Sequence, residues 1–125
     1  MKVVVSSDGH DLDAPVSSSF GRCQSYLLVD PETGSFDRLD NPAASAGGGA
    51  GIQAAQLVIE QGAQAVLASN VGPNAFQVFS AAGIPVFLVA GLTARQAVEA
   101  YSGGQLKPAA GANVASHSGL PAKPR

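Results

Sequence analysis

The chain has 125 residues, which is about one domain and enough to bury a real core. Apolar residues make up 46% and charged residues 13%, about half the usual charged fraction, so wholesale disorder is excluded and Ser, Gln, Asn, Ala and Gly must build much of the surface. A net charge of −2 gives no electrostatic case for nucleic acid or membrane partners, while so little surface charge tolerates self-association and leaves a homo-oligomer open.

Cys23 is the single cysteine, which rules out an internal disulfide framework. The opening MKVVVSSDG turns polar too soon for a signal peptide or membrane span, and later apolar runs are strand-length, so the expected setting is the cytoplasm. Lys2–Ser6 is a Val-rich run bounded by Ser-Asp-Gly and reads as a buried central strand. Ser7–Gln24 is longer than an ordinary connection, and long ordered loops are often functional. Ser25–Asp30 and Ser35–Asp40 flank Pro31-Glu32-Thr33-Gly34 as a hairpin, with Gly34 free to take a positive φ and one face of the second strand exposed.

Asn41–Gly49 is a loop of small residues. A helix follows from Gly51 to Gln61, with Ile52, Ala55, Val58 and Ile59 as its apolar stripe and Gly62 as its C′ residue. Ala65–Ser69 reads as a buried strand. Pro73 opens a second helix whose core face is Ala75, Phe76, Phe79 and Ala82, and Gly83 closes it. Val86–Val89 is the next strand. Thr93 and Gln96 form a capping box for a third helix, with Ala97, Val98 and Tyr101 inward and Gly103 or Gly104 as its stop. Beyond Lys107 the Ala/Gly/Ser/Pro composition predicts a disordered or loosely attached tail, giving a domain over residues 1–107 and a tail over 108–125. The order β–β–β–α–β–α–β–α predicts a single α/β domain: a mixed five-stranded sheet flanked by three helices, ribonuclease-H-like in topology.

The stretch Gly47–Phe76 organises the functional reading. In an open α/β sheet ligands sit outside the carboxyl ends of the parallel strands. Ser7-Asp8-Gly9, Gly47–Gly51, Asn70–Asn74 and Gly91–Thr93 are the loops expected there. Three of them lead into helix N-termini, whose N–H groups and partial positive charge suit an anion. Gly47, Gly48, Gly49, Gly51, Gly72 and Asn74 are therefore candidate binding residues. Gly49–Ala54 fits the dinucleotide pattern with alanine in its third place, but no acidic residue ends the following strand to hold a ribose. No Gly-Lys-Ser/Thr follows the glycines, which removes a phosphate-cradling hydrolase loop. Asp8, Asp11 and Asp13 lie in a loop rather than on strands, so a nuclease active site is not expected. Cys23 is a candidate soft-metal ligand, and His10 lies in the first loop between Asp8 and Asp11, but together they fall short of a closed zinc site.

Several pieces in fixed order carry a resemblance: Ser7-Asp8-Gly9, Pro15-Val16-Ser17, Phe20-Gly21-Arg22, Asn41-Pro42-Ala43-Ala44, Gly47–Ala55, Gly72–Phe76 and Ala82-Gly83-Ile84. Over roughly residues 1–107 the chain resembles the dinitrogenase iron–molybdenum cofactor biosynthesis family of small cluster carriers. The resemblance implies a ribonuclease-H-like domain without nuclease chemistry or other enzymatic activity. It also implies binding of an iron–sulfur or iron–molybdenum-type cluster, with Arg22 as a cationic partner and with cluster-assembly or acceptor proteins as associates. Nitrogen fixation is the process in the family's name, though members occur outside it. Many members carry a histidine before Phe-Gly-Arg where this chain has Ser19, and a small residue where it has Cys23. Cys23 and His10 are thus the remaining metal-ligand candidates. The alternative is a metal-free interaction or regulatory module that has lost its cluster ligands.

Overall fold

Short Val-, Leu- and Ala-rich runs make the sheet because β-branched and aliphatic side chains suit a surface buried on both faces. In the computed structural model, which describes residues 2–41 and 50–109, these are β1 (Val3–Ser7), β2 (Ser25–Val29), β3 (Phe36–Asp40), β4 (Ala65–Ala68) and β5 (Val86–Leu88). The helices are α1 (Ala50–Glu60), α2 (Pro73–Ala81) and α3 (Ala94–Ser102). The order across the sheet is β3-β2-β1-β4-β5. β1 pairs antiparallel with β2 and parallel with β4; β2–β3 is antiparallel and β4–β5 parallel. The predicted mixed five-stranded α/β domain is present.

Each face of the sheet has its own core. Val4, Tyr26, Leu28, Val66, Ala68 and Val86 meet Ala54, Ala55 and Val58 of α1 and Ala75 and Phe79 of α2. Val3, Val5, Leu27, Val29, Ala65 and Leu67 meet Ala94, Ala97 and Val98 of α3, with Leu12 and Val16 of the long first loop. Successive strand residues alternate between these clusters, as a period of two requires. Phe20 joins the first cluster through ring contacts with Tyr26 and Phe79 at 5.0 and 5.2 Å. The edge strand β3 is exposed apart from Leu39, and Phe36 keeps 37% of its surface in solvent.

Element boundaries differ from expectation by one residue at several ends. Ser7 joins β1 because it pairs with Ser25, whereas Ser69 and Val89 fall just past their strands. Ala54, absent from the predicted stripe, is buried, and Ile52 and Ile59 are only half-buried. Ala82 is exposed, since it is the C-cap of α2 rather than part of its inward face. Gly34, Gly62 and Gly83 take φ of 80°, 90° and 74°, the left-handed values for which glycine was expected.

Candidate functional site

Two antiparallel pairings in succession make β3 run with β1, so the carboxyl ends of β1, β3, β4 and β5 open on one rim. The helix N-termini lie at that rim, and two of them are neighbours. A Cβ placed on Gly51, the second residue of α1, would lie 3.5 Å from Ala75 Cβ and 3.9 Å from Ala75 N in α2. Those are ordinary van der Waals distances, so the two helix ends are neighbours without Gly51 having to be a glycine. Gly72 is the N-cap of α2 with φ −73° and ψ 171°, and no side chain among the described residues caps that helix. Pro73 has no N–H, and the Phe76 N–H already donates to the Gly72 carbonyl at 3.0 Å. The N–H groups of Asn74 and Ala75 meet no acceptor among the described residues. Gly47, Gly48 and Gly49 lie outside the described residues.

The third N-terminus departs from expectation. The capping box is present, with Gln96 N–H donating to Thr93 Oγ1 at 3.2 Å and Thr93 N–H to Gln96 Oε1 at 3.0 Å. The first loop then uses what remains: Ala94 N–H donates to the Ala14 carbonyl at 2.9 Å and Arg95 N–H to that of Leu12 at 2.8 Å. With its donors taken, α3 has nothing left for an anion. The expected convergence of three helix termini reduces to α1 and α2.

The first loop also forms an arch, residues 17–23, over this end of the sheet. Ser17 N–H donates to the Ser6 carbonyl at 2.9 Å, and Phe20 N–H to that of Asn70 at 3.0 Å. Asn70 Nδ2 returns a bond to the Ser18 carbonyl at 2.7 Å. Asn41 Nδ2 donates to the Gly21 and Cys23 carbonyls, both at 3.0 Å. From below, the Tyr26 hydroxyl donates to the Phe20 carbonyl. Arg22 is exposed on the arch.

Cys23 is not at the surface. It is 1% exposed, and its thiol donates toward the Phe20 and Ser25 carbonyls at 3.4 and 3.3 Å. Burial pushes its pKa up to about 11. A metal reaching it would have to displace the arch and remove a proton. His10 is exposed, and its Nδ1 accepts from Arg38 Nη1 at 2.6 Å. Among the described residues no three His, Cys, Asp or Glu side chains are grouped so as to hold a metal ion. Among the described residues one buried polar side-chain atom has no hydrogen-bond partner: Ser6 Oγ, fully buried near the carboxyl end of β1. Asn41, Asn70 and Tyr26, which shape the arch, were not singled out from the sequence. The available signal was an asparagine within two residues of the end of each of two strands that lead to helices.

A search of family models matches residues 1–104 to the family described as dinitrogenase iron-molybdenum cofactor. The apo form of the orange protein from Desulfovibrio gigas is 41% identical, with a TM-score of 0.86 over 90% of this chain and 95% of that one. A Thermotoga protein provisionally described as a NifB protein is 36% identical, with a TM-score of 0.74 over 86% and 91% of the two chains. An uncharacterised protein of Methanocaldococcus jannaschii is 28% identical over 110 residues, 86% of this chain and 90% of its own.

Proposed function

The chain belongs to the dinitrogenase iron-molybdenum cofactor family, and from that premise we propose that it is a non-enzymatic carrier of an anionic, sulfide-rich metal cluster of the iron–sulfur or iron–molybdenum type. The observation that carries this reading is the pair of adjacent helix N-termini, α1 and α2, with the Asn74 and Ala75 N–H groups meeting no acceptor among the described residues. Cluster sulfides would accept from those N–H groups, and the partial positive charge of each helix end contributes about 0.3–1 kcal/mol toward an anion. Arg22 supplies a full cation. Gly51 and Gly72 keep Cβ atoms away, and Gly47, Gly48 and Gly49 lead into α1.

The donor set fits a cluster that brings its own sulfides better than one ligated by the protein, because Cys23 is buried and protonated and His10 is engaged by Arg38. Its working setting is the cytoplasm, with cluster-assembly or acceptor proteins as partners. An anaerobic titration with an iron–molybdenum–sulfur cluster, read by visible absorption and metal analysis after desalting, tests this. Retention near one cluster per chain, lowered about tenfold in affinity by Arg22→Ala and unchanged by Cys23→Ala, is the expected result. No retained colour would sink the proposal.

The same buried thiol and engaged histidine favour a second reading, a metal-free interaction module. A stable partner co-purifying with metal-free protein from anaerobically grown cells would support it over the carrier.

A further inference from the structure

The arch is fastened at both of the chain segments that feed the proposed site. Asn41 follows β3, which leads to α1; Asn70 follows β4, two residues before the N-cap of α2. Asn41 is only 7% exposed and spends both amide hydrogens on arch carbonyls, Gly21 on one side of Arg22 and Cys23 on the other. Since both partners are carbonyls, the nitrogen of that amide must face them. Asn70 grips the other limb twice, through its carbonyl to the Phe20 N–H and through Nδ2 to the Ser18 carbonyl. The peptide units around Arg22 are thereby fixed relative to α1 and α2 before any ligand arrives. A loop so held binds without first having to be ordered.

We infer that Asn41 and Asn70 are positioning residues, which set Arg22 against the α1 and α2 N-termini for an anionic ligand. The inference rests on the carrier reading above. Neither residue needs to touch the ligand; each acts through the arch.

Tetrathiomolybdate, a sulfide-terminated molybdenum dianion, serves as the probe, titrated anaerobically into the full chain by visible absorption. Asn41→Ala would strand two carbonyls near the core, so Asn70→Ala is the decisive variant: Ser18 is exposed, water can replace the lost amide, and the Phe20 N–H bond is to backbone. It should keep its melting temperature within a few degrees and weaken binding about 5- to 20-fold through a faster off-rate. Positioning has a further signature that loss of stability would not give. If Asn70 acts through Arg22, the Arg22→Ala/Asn70→Ala double variant binds no more weakly than Arg22→Ala alone. Equal binding by the wild type and Arg22→Ala overturns the underlying site. Sensitivity to Arg22→Ala with no effect of Asn70→Ala, or with strictly additive effects, overturns the positioning role alone.

Discussion

Cys23 shows how burial decides the chemistry of a side chain. Its thiol lies between the Phe20 and Ser25 carbonyls, and desolvation raises its pKa from 9.0 to about 11. Burial likewise raises that of Tyr26, beside it. The folded chain therefore holds the Cys23 proton after the unfolded chain has lost it. Above pH 9.0 the unfolded state binds fewer protons, so stability is full below that pH and falls as pH rises toward about 11. The loss over that window is roughly 2–3 kcal/mol. Chemical denaturation between pH 8 and 11 should show it, and Cys23→Ala should flatten the early part of the decline while the Tyr26 contribution remains. An identical pH profile in the variant would refute the assignment. The same argument makes Cys23 a poor thiolate ligand at neutral pH.

At the scale of elements, α2 offers a substitution whose effects on stability and binding have opposite signs. Gly72 has the extended backbone of an N-cap and open space where a Cβ would go. Gly72→Asp should cap α2 with a carboxylate and raise stability by a few tenths to about 1 kcal/mol. That carboxylate would also occupy the donors proposed for the ligand, and cluster or tetrathiomolybdate affinity should fall by about tenfold or more. A melting curve and one titration decide it; higher stability with undiminished binding would place the ligand elsewhere. Local chemistry made much of this legible. The Thr93/Gln96 capping box, the glycines at 34, 62 and 83, and the opening proline of α2 each follow from residues within one turn, and each is present. The closure of α3 by the Leu12 and Ala14 carbonyls was not legible, because it joins segments some eighty residues apart through backbone groups that every residue type carries. The same holds for the arch: Asn41 and Asn70 look like ordinary loop asparagines until the fold brings Gly21, Cys23 and Ser18 to them.

For the whole molecule, the two-faced sheet divides labour. α1 and α2 cover one face and leave their N-termini to the rim, while α3 and the first loop seal the other face and its terminus. What completes that second face bears on where the domain ends. Leu106 packs on the α3 core, Pro108 bridges to Phe87, and Ala109 N–H donates to the Val86 carbonyl at 2.7 Å, so residues 106–109 cover part of the β5 edge. Bare strand edges invite pairing with other chains. Ending the chain after Gln105 rather than after Ala109 should cost about 2 kcal/mol, on the order of 10 °C for a domain of this size. The shorter form should also associate more with rising concentration, because β5 loses its cover while β3 stays as it was. Sedimentation of both forms beside their melting curves would check this. Equal stability of the two would move the domain boundary back to α3, and association by both alike would point to β3 as the exposed edge that pairs.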